Sequence, residues 1–298
     1  MGRDLAERFP VAKRTFEEAN DALGISLSRL CWEGPEDELT VTMNAQPAIL
    51  VHSVAVWRVL QEQRPLTVGV GAGHSLGEFS AYVAAGAIDF ADAVRTVRRR
   101  GELMYGSGKE RPGTMAAVLG LDDGDAVELC SRASTDSGAV VVPANYNSPG
   151  QLVISGDVEA VRRAEVLAKE MGAKRVIPLN VSGAFHSPLM ANAAEGLRQA
   201  LDSIAVENPA FPVVSNVTAT PIRQATEARS LLLDQLTSPV RWVDSVRAML
   251  AIGATEFVEV GPGNVLSGLL KRIDRSTVSR NLGTADELTT FLTGTEVA

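Results

Sequence analysis

Cysteine is scarce in this chain: two in 298 residues, Cys31 and Cys130, with no metal-type spacing. That excludes a disulfide framework and points to reduced thiols and a cytoplasmic protein. Long apolar runs are missing as well. No window approaches the roughly 18 consecutive apolar residues of a membrane span. The opening stretch Met1-Gly2-Arg3-Asp4-Leu5-Ala6-Glu7 lacks the apolar core of a secretory leader. No membrane partner is therefore expected. Positive charge falls short of negative, 28 Lys and Arg against 36 Asp and Glu, for a net charge of −8. Such a balance argues against nucleic acid as a partner. Histidine is sparse too, with only His52, His74 and His186, so any imidazole chemistry has few candidates.

What is present is ordinary for a globular protein: 45% hydrophobic and 21% charged residues. The length suits one large domain, or one with a smaller insert. Basic residues cluster at Arg95, Arg98, Arg99 and Arg100, at Lys174-Arg175 and at Lys271-Arg272. Solvated helix surface accounts for each cluster unless the partner is acidic.

The spacing predicts a helix over 45–63 that is apolar all round (Ile49, Leu50, Val51, Val54, Val56, Val59, Leu60) and therefore internal. His52 within it reads as a core histidine. A short apolar run at 66–71 precedes Gly73-His74-Ser75-Leu76-Gly77-Glu78, and a helix of small residues follows. Asp89 can cap a helix reaching about residue 105, whose Phe90, Ala93, Val94, Val97 and Met104 recur at helical spacing. At about 100° per residue, Arg95 and Arg99 fall opposite that stripe. Arg100 falls at its edge, where it can point inward, and Arg98 lies nearly as close to the other edge.

Residues 112–187 read as a separate unit. Strands are expected at 115–120, 139–144, 151–155 and 174–179, with helices at 123–133 and 157–171. Asn145-Tyr146-Asn147-Ser148-Pro149-Gly150 would connect the middle two strands. This βαββαβ order is the ferredoxin-like pattern. Beyond it come a strand at 213–215, helices at 226–236 and 242–252, a strand at 256–260 and a helix at 265–273. The expected architecture is α/β: a hydrolase-like large domain with a parallel-sheet core (1–111 and 188–298) and an inserted ferredoxin-like small domain (112–187).

Gly-x-Ser-x-Gly between strand and helix places a serine on a tight turn with its hydroxyl exposed, the glycines making room where a Cβ would clash. Ser75 is the nucleophile candidate. Leu76 opens the helix, so its amide can face a developing oxyanion, helped by the helix dipole. A serine needs a base. His74 precedes Ser75 directly, so its side chain should point away from the hydroxyl or flank the pocket. His186, in Ser182-Gly183-Ala184-Phe185-His186-Ser187-Pro188, lies on a loop after the insert's last strand, where two domains meet. The two would form a dyad, His186 taking the Ser75 proton and returning it to a leaving thiol. No acid stands out as a third member, and a backbone carbonyl could orient the imidazole equally well.

These segments resemble the malonyl-CoA:acyl-carrier-protein transacylases of fatty acid synthesis and the acyltransferase domains of polyketide synthases. The likeness is carried by Gln46-Pro47-Ala48, residues 73–80 and 86–93, Arg100-Gly101, residues 145–151, Phe185-His186-Ser187-Pro188-Leu189-Met190 and Glu259-Val260-Gly261-Pro262-Gly263. It implies a malonyl ester on Ser75, His186 as base, and Gln235 as the residue whose main-chain carbonyl orients that histidine. It also implies that Arg100 holds the malonyl carboxylate. Leu76 after the serine and Phe185 before the histidine match the malonyl-type choices, and Asn145 and Asn147 resemble residues near the pantetheine and acyl group; His74 is counted with them as a pocket-flanking, substrate-binding candidate. The implied partners are malonyl-CoA and acyl carrier protein, with no metal, no resident cofactor and a monomeric chain. As turn residues, Asn145 and Asn147 also have a sufficient structural explanation.

Family members open with a strand and a Gly-Gln-Gly-Ser-Gln loop whose glutamine supplies a second oxyanion amide. No such segment occurs here, and Met1-Gly2-Arg3-Asp4 aligns with the helix that follows it. The expectation is a sequence starting at an internal methionine, with an unpaired sheet edge where that strand would pair; the alternative is a weakened form. Two rival functions share the motif: a Ser-His thioesterase or editing acyl hydrolase, and a silent scaffold that binds carrier protein. Arg100 discriminates, because removal of uncharged acyl groups gains nothing from a carboxylate clamp.

Overall fold

The computed structural model describes residues 1–294. Four helices, α1 (Arg3–Arg8), α2 (Pro10–Leu23), α3 (Leu27–Glu33) and α4 (Glu36–Thr40), lead into α5 (Thr42–Gln63). Because α5 is apolar on all sides, it is buried along most of its length and forms the spine of the main core. Then come β1 (Gly71–Ala72), α6 (Leu76–Ala84) and α7 (Phe90–Glu110). Asp89 caps α7 as expected, its Oδ1 accepting from the N–H groups of Ala91 and Asp92, a cap worth about 1 kcal/mol. The helix runs one turn further than its apolar stripe predicts.

The next six elements are β2 (Gly113–Leu119), α8 (Asp123–Ser137), β3 (Val141–Ser148), β4 (Gln151–Asp157), α9 (Val158–Glu170) and β5 (Arg175–Pro178). Their strands form one antiparallel sheet in the order β3-β4-β2-β5, the ferredoxin-like arrangement. Helices α8 and α9 cover one face around Val118, Leu129, Ile154 and Leu167. The other face carries Met115, Ala144 and Val153, packed with Leu179, Val181 and Phe185. Asn145 and Asn147 are not in a connection, as their composition suggested. Register shifts at Pro143/Asn145 and Tyr146/Ser148 bulge β3 and carry it on to Ser148, leaving Pro149 and Gly150 as the turn. The same stretch joins the large domain: Tyr146 N–H donates to Val240 O (2.9 Å), and Val240 N–H to Ala144 O (2.8 Å).

The chain closes with α10 (Ala191–Asp202), β6 (Val213–Val214), β7 (Pro221–Ile222), α11 (Ala225–Asp234), α12 (Trp242–Ala251), β8 (Glu256–Val260), α13 (Val265–Ile273), β9 (Val278–Leu282) and α14 (Ala285–Thr293). The sequence pattern left out α10, β7, β9 and α14. The large domain's parallel pairing stands in two pieces, β1 with β6 and β8 with β9, while β7 adds antiparallel to β6. Between them lies a cleft of about 1650 Å³ lined by Val68, Val70, Ala72, Phe257 and Val258. The expected unpaired edge is therefore present, on β1 and on β8. It also explains why the apolar run at 66–71 forms a strand only at Gly71–Ala72: the rest borders this cleft with no neighbour to pair with. Among the described residues no helix is long and apolar enough to cross a membrane, and no cluster of His, Cys, Asp and Glu could hold a metal.

Candidate active site

Ser75 sits between β1 and α6 with φ 49° and ψ −109°, a conformation that non-glycine residues adopt only under constraint. Gly73 makes the turn possible. A Cβ there would stand 1.9 Å from the Gly77 carbonyl carbon. Gly77 differs: a Cβ would meet nothing within 4 Å, because the position borders the large cleft. The expectation that both glycines make room holds for Gly73 alone. The elbow is held from across the molecule by Asn216, whose Oδ1 accepts from Ser75 N–H (2.6 Å) and whose Nδ2 donates to Gly73 O (2.7 Å). Leu76 N–H, at the first position of α6, meets no acceptor among the described residues, as a helix's first amides do not. It is the available oxyanion donor.

The structure brings the candidate base to the candidate nucleophile. His186 Nε2 lies 2.8 Å from Ser75 Oγ, and its Nδ1 lies 2.9 Å from the main-chain oxygen of Gln235. That oxygen only accepts, so Nδ1 carries the hydrogen and Nε2 is left with a lone pair facing the hydroxyl. His186 also has positive φ, 55°, and is buried. Arg100 completes the group. It is 1% exposed, with Nη2 3.0 Å from Ser75 Oγ and 2.8 Å from Gln235 Oε1, and Nη1 2.5 Å from Gln46 Oε1. All three partners are neutral oxygens, and Nε has none among the described residues. The other arginines of its cluster point outward to carboxylates: Arg95 to Asp92, and Arg98 and Arg99 to Glu102.

Electrostatics suit a serine dyad. Burial, followed by the nearby Arg100 charge, pushes His186 down to about 3, against the pull of the Gln235 carbonyl. The ring is thus neutral at neutral pH and able to take a proton. Burial brings Arg100 down only to about 10, so it stays charged and the site presents a dry positive group. In a histidine NMR titration the His186 ring is expected to remain neutral well below the ordinary value of about 6.5. Arg100→Ala should move its midpoint upward by removing the second cause. A midpoint near the ordinary value in the unaltered protein would refute this arrangement.

The remaining predicted residues lie around this group. His74 points away from the hydroxyl: its Nε2 lies 2.8 Å from Asn147 Oδ1, and its ring rests on Trp242 with centroids 5.6 Å apart. Asn145 is buried in β3 beside Val240 and makes no hydrogen bond to Ser75, His186 or Arg100. Phe185 is half-buried between the main core and the inner face of the small sheet. Three residues were missed as site members. Gln46 and Glu78 lie in segments that the family resemblance singled out, but nothing local says whom they touch. Asn216, on the loop after β6, has no local signal at all.

Comparison with known proteins gives the family. The family model described as the acyl transferase domain matches residues 1–288. The malonyl CoA-acyl carrier protein transacylase of Bacillus subtilis strain 168 is 49% identical over 275 residues, covering 92% of this chain and 86% of the relative. That of Escherichia coli K12 is 47% identical over 273 residues, covering 92% and 88%. Among solved structures, a malonyl-transacylase in complex with a type II polyketide synthase acyl carrier protein superposes with a TM-score of 0.95 at 44% identity, covering 99% of this chain and 94% of its own. The acyl carrier protein S-malonyltransferase of Vibrio cholerae gives 0.93 at 43%, covering 98% and 94%. With the family model matched over residues 1–288 and relatives of 47–49% identity covering 92% of its length, the chain belongs to the acyl transferase domain family.

Proposed function

We propose that the protein moves a malonyl group from malonyl-CoA to the pantetheine thiol of an acyl carrier protein, through an ester on Ser75. The observation that carries this is the 3.0 Å contact between Arg100 Nη2 and Ser75 Oγ. In a malonyl thioester the carboxylate carbon lies two bonds from the carbonyl carbon, about 2.5 Å away. Only an acyl group with its charge that close can engage the guanidinium while its carbonyl meets Oγ.

In the first half-reaction Ser75 Oγ attacks the thioester carbonyl and His186 Nε2 takes its proton. Leu76 N–H faces the oxyanion, and the proton passes to the departing CoA sulfur. In the second, the carrier's thiol attacks the serine ester, its proton goes to His186, and Ser75 Oγ leaves with that proton. The nucleophile, base and clamp come from the chain, so the reaction needs no resident cofactor; CoA and phosphopantetheine arrive as parts of the substrates. Buried free thiols at Cys31 and Cys130 support a cytoplasmic setting.

Transfer is separated from hydrolysis by following malonyl-CoA with and without carrier protein bearing its pantetheine arm. Malonyl-carrier should form with release of CoA, and free malonate should accumulate far more slowly. Malonate formed at equal rate whether or not carrier is present would favour the hydrolase. Acyl carrier proteins of the family are acidic, so transfer should weaken with added salt if Lys271, Arg272 or neighbouring cations dock them.

A further inference from the structure

Glu78, the last residue of the signature run, is fully buried one helical turn beyond Ser75. One carboxylate oxygen, Oε2, accepts from Gln235 Nε2 (2.7 Å) and from Asn216 N–H (3.2 Å), while Oε1 has no partner among the described residues. The two residues it holds are the ones that hold the dyad. Asn216 grips Ser75 N–H and Gly73 O. Gln235 gives its main-chain oxygen to His186, donates from Nε2 to Ser75 O (3.0 Å), and turns Oε1 to Arg100.

We propose that Glu78 is a positioning residue, its carboxylate setting the direction of the Gln235 amide and thereby the pose of Arg100 toward the acyl group. A glutamine amide has unlike ends that exchange by a half-turn of its last torsion. With Oε1 toward Arg100, an acceptor meets a group that only donates. Reversed, Nε2 would face the guanidinium, donor against donor, and the clamp would lose an anchor. The Ser75 carbonyl already favours the observed direction, and the Glu78 carboxyl at 2.7 Å adds to it, most strongly in its ionised form. Burying a carboxyl with an unpartnered oxygen is costly, and burial pushes this one up to about 7. An apolar side chain of similar size would avoid that cost, but it would leave the direction of Gln235 to Ser75 O alone. The Glu78 side chain hydrogen-bonds to neither Ser75 Oγ nor His186, so it acts through Gln235 and Asn216.

Resting on the malonyl-transfer reading above, the test is the malonyl-over-acetyl ratio of kcat/KM in Glu78→Gln, with folding checked by circular dichroism. The carboxamide keeps shape but loses charge and gains a donor that can pair with Gln235 Oε1 and reverse it. The ratio should fall about tenfold, the worth of one well-placed hydrogen bond, chiefly through a higher KM for malonyl-CoA. In an Arg100→Ala background the same change should leave the ratio where Arg100→Ala put it. A folded Glu78→Gln protein with the original ratio overturns the proposal, as does an equal fall in both substrates. If Glu78→Gln does not fold, Gln235→Ala carries the test: it keeps the main-chain oxygen, and an undiminished ratio there overturns the relay. Should the unaltered protein show no preference for malonyl-CoA, the functional reading itself fails, a separate and distinguishable result.

Discussion

Ser75→Ala protein mixed with malonyl-CoA is expected to show no covalent adduct by intact-mass analysis, whereas the unaltered protein gains one malonyl group. Oγ is the atom through which both proposed half-reactions pass, and among the described residues no other hydroxyl is hydrogen-bonded to His186 Nε2. Loss of such a nucleophile lowers the rate on the order of 10⁶-fold. His186→Ala should come close to the same loss, and combining the two should add little, because each half of the pair is idle without the other. The fold should survive. Ser75 has a strained backbone, φ 49°, that alanine shares, and its N–H and C=O bonds to Asn216 and Gln235 do not involve the hydroxyl. An adduct on Ser75→Ala protein would place the nucleophile elsewhere, and none on the unaltered protein would favour the scaffold.

Arg100→Ala is expected to collapse the preference for malonyl over acetyl, by about 10²-fold or more. A buried charge pair that loses one partner typically costs 2–5 kcal/mol, roughly 30- to several-thousand-fold in affinity. Acetyl carries no carboxylate, so its loading should fall much less. Arg100→Lys should recover only part of the effect. An ammonium is a point charge and cannot make two parallel bonds to a carboxylate while also reaching Gln46 and Gln235. Succinyl-CoA, one methylene longer, sharpens the test: its carboxylate overshoots a guanidinium placed 3.0 Å from Oγ, so the unaltered protein should load it poorly. Equal loss of malonyl and acetyl loading in Arg100→Ala would show that the arginine serves the elbow rather than the substrate.

Much of the site was legible because its signals are local. Gly73 followed by a strained serine and a helix start spans only a few residues, and the Asp89 cap reads its own next turn. The helical wheel could bring Arg100 only to the edge of the apolar stripe. Burial at 1% came from packing α7 against α5, and Arg98, nearly as close to the stripe, instead reaches Glu102 and Asn44. The asparagines at 145 and 147 were misplaced because their turn-forming composition was outweighed by bulges and by main-chain pairing to Val240.

From the sequence alone came the candidate nucleophile, its candidate base and the βαββαβ insert, because each rests on residue type and short-range order; Arg100 was singled out only by the resemblance to a family. Tertiary structure alone decided who holds them. Ser75 N–H finds Asn216 across 141 positions, Gln235 finds Glu78 across 157, and Arg100 finds Gln46 across 54. A hydrogen bond is specific to within a few tenths of an ångström, while the chain between such partners has no fixed length in space until sheets and helices have packed. Which of several glutamines and asparagines meets the elbow is therefore a property of the assembled layers. The same assembly brings the buried glutamate of the signature run against Gln235 and Asn216.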